Sequence, residues 1–259
     1  MKMIPAQIAK AQRLSQRNKS LKKKYKYCDD NDYKDDAYRA LSSQFKNRQK
    51  FESFYSSLND DKTKDKFLQV GSSYLFFVKN GDWHVHDVPR SNSVIEYFTN
   101  SFKLVALLAI IESLFEKKNI DFFDWLSEKD RKNTFPIRDR SQLRKLYDEY
   151  KREYGSIRRC KSFFANLPVP TQDKLCKSIN VDGAPVSSID TVVTMIYKCR
   201  SCFAHESDAT LEISNSMCFS IENNKRVAWN LPMHLLQSSF EEGVMAHFQS
   251  TAVNQSLEA

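Results

Sequence analysis

The chain has 259 residues, with 40 Lys+Arg against 32 Asp+Glu, a net charge of +8, six Cys, five Gly and seven Pro. A hydrophobic share of 41% with 12% aromatics excludes wholesale disorder, and the length allows one large domain or two small ones. The longest apolar run, residues 104–111, is closed by Glu112 and falls well short of the roughly 20 residues that span a bilayer, so no membrane partner is expected.

Residues 1–26 carry nine of the basic residues and no acid, which leaves residues 27–259 close to neutral. The first 20 lack the apolar stretch of a secretory signal; their basic, acid-poor character leaves a transit peptide as the alternative to a cytoplasmic protein. The apolar spacing predicts a basic helix over 4–24 and a second over 35–58. Two β-rich runs flanking Asn80-Gly81 predict a hairpin, and Pro89 marks a boundary. A long helix is expected from about Val94 to Lys118, then helices over Asp121–Lys132 and Arg140–Tyr154. Gly155 and residues 167–170 interrupt the pattern, and residues 180–185 read as a loop. Ser187 and Asp190 resemble a capping box opening a helix that ends near His205. A second hairpin turns at Asn223-Asn224, and a helix over about 232–248 closes the chain. The expected fold is mainly α, a helical bundle with two β-hairpins able to share one small sheet. Its expected divisions are 1–90, a basic helical region ending in a hairpin; 91–208, the bundle; and 209–259, a hairpin plus helix.

Two charges fall where apolar residues are expected. Glu112 follows the uniformly apolar run of the helix from 94, and an ionised carboxylate buried there needs a partner. Arg200 falls on the stripe of Ile189, Val193 and Ile196, so the two are expected to pair. Arg200 and His205 also form R-x4-H. A histidine near neutral pKa can take a proton from a ribose 2′-hydroxyl or give one to a leaving 5′-oxygen. A fixed guanidinium can hold the phosphate while charge develops. Five residues on an ideal helix turn about 140° net, so either the helix ends before His205 or a second copy of the chain completes the site.

The segments FKLVALLAIIESLFEKK (102–118) and IDTVVTMIYKCRSCFAHE (189–206) resemble the long acid-bearing helix and the R-x4–6-H helix of the HEPN domain family, over about residues 94–206. The resemblance implies an all-helical homodimer that cleaves RNA without a metal and leaves a 2′,3′-cyclic phosphate. Arg200 would hold the phosphate, His205 would act as acid–base, and Glu112 would orient Arg200. Ser201 stands where the family often carries Asn, Asp or His. Roles in host defence or toxin–antitoxin systems, with an antitoxin or activator protein as partner, follow from the same likeness. The alternative is a catalytically silent module of this type that binds RNA or a protein.

RNA affinity is expected from Lys22, Lys23 and Lys24 in the basic arm and from Arg158 and Arg159 in a second basic stretch, 138–161, interleaved with Tyr147, Tyr150 and Tyr154. The same spacings also suit solvated amphipathic helix faces. Cys199-x2-Cys202 and His84-x-His86 lack the further ligands of a zinc site, so they read as core and strand residues, and no metal is expected. The remaining cysteines are scattered, in keeping with reduced thiols. No glycine-rich phosphate loop or nucleophile elbow occurs, and no cofactor is expected.

Overall fold

The computed structural model describes residues 27–82, 93–115, 121–127, 139–222 and 224–257. Two compact units emerge: among the described residues, one runs to Lys79 and takes up those from Phe248 on, and the other is Asn80–His247.

The first unit contains α1 (Asn31–Ala40), a short 3-10 turn (Ser42–Gln44), α2 (Arg48–Ser57) and α3 (Asp61–Tyr74). The side chains of Asp30, Asn47 and Asp60 accept from the N–H groups of Asp32, Lys50 and Thr63 and start these helices. The single helix expected over 35–58 is therefore two, because Phe45 is extended and Asn47 caps a fresh start. α3 packs on α1 at Gly71, where a Cβ would come within 2.7 Å of the Ala37 side chain. Phe51, Phe54, Phe67 and Phe248 form the aromatic centre of this unit.

The hairpin expected around Asn80-Gly81 is corrected in its first half: residues 72–79 are helical, the end of α3 followed by a π-helical turn, Leu75–Lys79. Gly71, Tyr74, Leu75 and Val78 are buried and Phe76 and Phe77 exposed, a helical period rather than the strict alternation of a strand. The second half of that hairpin, and the helix expected over 4–24, lie outside the described residues.

The second unit contains α4 (Ser93–Ser113), α5 (Phe122–Leu126), α6 (Arg140–Tyr154), α7 (Ser156–Ala165), α8 (Val169–Lys177), β1 (Ile179–Val181), β2 (Ala184–Pro185), α9 (Ile189–Glu206), β3 (Cys218–Glu222), β4 (Lys225–Trp229) and most of α10 (Met233–Leu257). The fold is mainly α with one small antiparallel sheet of order β2-β1-β4-β3. The hairpin expected around Asn223-Asn224 is β3–β4, with Ser220 opposite Val227. Its companion in the sheet is β1–β2, in the segment read as a loop. The turn Asp182-Gly183 has φ 51° and 86°, the left-handed pair that a two-residue hairpin turn requires.

α4, α7 and α9 pack on one another. Leu104, Leu107, Leu108 and Ile111 of α4, Cys160, Phe163 and Phe164 of α7, and Val192, Val193 and Ile196 of α9 are all buried. Among the described residues α4 is long and apolar enough to cross a membrane by length and composition, and half of that stretch is buried in the unit. Its outer side exposes Val94, Phe98 and Phe102 at intervals of four.

Candidate functional site

Of the expected site residues, α9 carries Arg200, Ser201 and His205. Its cap is Ser188, whose hydroxyl accepts from the Thr191 N–H at 3.3 Å, not the Ser187–Asp190 box. Asp190 instead pairs with Lys161 of α7 at 2.8 Å. The helix stays regular through Glu206 and closes on Ser207 in the left-handed conformation, whose N–H donates to the Phe203 carbonyl. His205 is therefore inside the helix.

The positions of Arg200 and His205 follow from that regularity. Four residues from the buried Ile196 turn Arg200 about 40° off the core direction; nine turn His205 about 180°, straight away from it. Arg200 is half-buried and His205 exposed. The chain thus does not bring the two side chains together within one protomer, and of the two alternatives left by the sequence, a helix ending before His205 is excluded. Among the described residues His205 makes no hydrogen bond or ion pair.

Arg200 lies in the angle between α4, α7 and α9. Its guanidinium sits over the Tyr197 ring, 5.2 Å from the centroid, and its Nε is buried with no hydrogen-bond partner. The Tyr197 hydroxyl donates to Glu112 Oε1 at 3.1 Å. The expected direct Glu112–Arg200 pair is corrected by this arrangement: Tyr197, one turn before Arg200 on the same face, takes the carboxylate and offers its ring to the cation. Burial pushes the Tyr197 phenol above its usual range, the Glu112 charge acting in the same direction and Ser156 and Arg200 in the opposite one. The Cys160 thiol of α7 is pushed up to about 12, mainly by burial and then by Glu112, against the pull of Arg200 and Arg159. Glu112, Cys160, Arg159, Tyr197 and Arg200 thus share one neighbourhood.

Ser201 makes no hydrogen bond to a side chain of this cluster among the described residues. Its hydroxyl donates to the Tyr197 carbonyl at 3.0 Å, a bond within its own helix. Arg158 and Arg159 occupy the first turn of α7, the former donating from Nη1 to the Glu153 carbonyl at 2.6 Å. Lys22, Lys23 and Lys24 lie outside the described residues, as do His84 and His86. Among the described residues no three His, Cys, Asp or Glu side chains are grouped to hold a metal ion. Cys199 and Cys202 are half-buried free thiols.

Tyr197 and Cys160 are the members that sequence reasoning missed. A tyrosine three residues before a stripe arginine is a legible signal, since the two share a helix face. Nothing in the sequence marked Cys160, which enters only because α7 forms the third wall.

No protein-family model matches the chain, and no curated protein or solved structure matches it.

Proposed function

We propose that this protein is an endoribonuclease of the HEPN type that acts as a homodimer, each site taking Arg200 from one protomer and His205 from the other. One observation carries the reading: a single regular helix holds an arginine with a buried, unpaired Nε beside a carboxylate–phenol pair, and an exposed histidine on the opposite face. A phosphate oxygen would supply the acceptor that Nε lacks. The Tyr197 ring and the Glu112–Tyr197 bond fix the guanidinium from behind, so Glu112 acts on Arg200 through Tyr197.

In the reaction the ribose 2′-oxygen forms a bond to phosphorus while the bond to the 5′-oxygen breaks. The 2′-hydroxyl proton passes to the His205 imidazole, and the imidazolium so formed gives that proton to the leaving 5′-oxygen. The guanidinium stabilises the charge that builds on the phosphoryl oxygens. The exposed Val94, Phe98 and Phe102 of α4, with Phe102 edge-on to Phe203 of α9 at 4.9 Å, supply an apolar face beside the motif helix for a second copy to cover. A cytoplasmic toxin or defence effector, held in check by an antitoxin or awaiting an activator protein, is the setting that fits this chemistry.

Purified protein incubated with tRNA and a structured RNA in EDTA tests the reading. The parent should leave 2′,3′-cyclic phosphate ends and His205→Ala should leave the RNA intact; equal cleavage by both would falsify it. The Ser201 hydroxyl, engaged on its own helix, favours a second reading in which the module binds RNA or a protein without cutting. That reading requires a gel shift that survives His205→Ala with no cleavage by the parent.

A further inference from the structure

α6 and α7 meet at Gly155, whose φ of −64° and ψ of 137° end one helix and open the next with no side-chain cap on the first turn of α7. The approach is close: a Cβ on Gly155 would collide with the Lys151 carbonyl oxygen. Beside this junction lies a cavity of about 400 Å³, lined by Phe115, Tyr154, Gly155, Arg158, Arg159 and Ser162 together with Glu153. That volume falls within the range of small-molecule sites.

We propose that this cavity binds a nucleoside phosphate, the phosphate on Arg158 and Arg159 at the start of α7 and the base against Phe115 and Tyr154. Arg158 and Arg159 both line the cavity, and among the described residues neither forms an ion pair. Arg158 is anchored through Nη1 to the Glu153 carbonyl, which leaves its other donors available, and Arg159 makes no hydrogen bond among the described residues. The nearby Glu153 carboxylate is turned to Trp125, whose Nε1 donates to Oε2 at 3.3 Å. The uncapped first turn of α7 adds partial positive charge. The aromatic walls are held in place: Tyr154 stacks on Tyr150 at 5.6 Å and Phe115 meets His247 edge-on at 5.5 Å. A phosphate alone would satisfy the arginines, but the aromatic walls require a flat, apolar-faced group beside it.

Two sources share this chemistry. Arg159 adjoins Cys160, which feels both Glu112 and Arg200, so an RNA nucleotide flanking the cleaved bond is one; this source rests on the ribonuclease reading. A free mononucleotide is the other and is independent of it.

Calorimetric titration of the full chain with AMP, adenosine, inorganic phosphate and a non-cleavable 2′-deoxy pentanucleotide tests the proposal. AMP should bind at least about tenfold more tightly than either adenosine or phosphate. Arg159→Ala and Arg159→Gln should each weaken AMP about ten- to hundredfold with unchanged thermal melts. A pentanucleotide that binds more tightly than AMP and competes with it assigns the site to RNA; AMP binding without that competition assigns it to a free nucleotide. Saturation by neither at about 10 mM, or equal AMP affinity in parent and both Arg159 variants, overturns the proposal. AMP binding is read without cleavage, so a protein that binds AMP but cuts no RNA, or the reverse, separates this site from the ribonuclease reading.

Discussion

Replacing Arg200 by alanine separates a phosphate-holding cation from a structural one. A guanidinium in a buried ion pair with Glu112 would strand a charge when removed, at about 3–5 kcal/mol. The observed contacts lead to a smaller cost. Truncation loses the cation over the Tyr197 ring, 5.2 Å away, which contributes about 0.5–1 kcal/mol at a partly exposed site. It also loses a half-buried aliphatic stem, about 1 kcal/mol. Against these, the buried Nε without a partner disappears, which returns about 1 kcal/mol. Glu112 keeps its bond from Tyr197. The net loss should be about 1 kcal/mol, a fall in Tm of about 2–4 °C for a chain of this size, while RNA cleavage is abolished. Urea denaturation followed by circular dichroism measures the first quantity and an RNA digest the second. A loss of about 3 kcal/mol or more, or cleavage that survives the change, would refute the reasoning.

Gly243→Ala should destabilise the second unit by about 1–3 kcal/mol despite the better helix propensity of alanine. Its Cβ would come within 2.6 Å of Cε1 of Phe163, a ring that is 2% exposed and stacked on Phe240. A melt unchanged from the parent would show that α10 can shift freely. Alkaline pH should also weaken the fold. A thiol held up to about 12 in the folded state titrates near about 8.5 when unfolded, so its contribution is complete below that value and is lost as pH rises toward 12. Cys160→Ala should therefore flatten the dependence of unfolding free energy on pH between about 9 and 11, by roughly 1.4 kcal/mol per pH unit. Parallel slopes for parent and variant would contradict the burial argument.

The motif helix was legible, apart from a cap one residue off, because its signals are local: a hydroxyl start, a 3.6-residue apolar stripe and an end near His205 all fall within one segment. The bond from Tyr197 to Glu112 was not, because it spans 85 residues and depends on how α4 and α9 are brought together. Asn80-Gly81 and Asp182-Gly183 make the same point about turns. Both dipeptides suit a hairpin, but only the second lies between extended segments, since the run before Asn80 buries Gly71, Tyr74, Leu75 and Val78 with helical spacing. Period outranks dipeptide when the two conflict. β1 escaped notice because three residues carry little alternation; its register is set by pairing with β4, Val181 opposite Val227, a contact distant in sequence.

Mixing two inactive variants tests the shared site most directly. Arg200→Ala and His205→Ala proteins are each unable to cleave if both groups are needed. After unfolding and refolding together, half of the dimers should be mixed, and each mixed dimer rebuilds one intact site of two, so about a quarter of the parent activity should return. Return of that activity, from proteins that sediment as dimers, is the result the account predicts. No activity from the mixture, or a parent that cleaves RNA as a monomer, would contradict it.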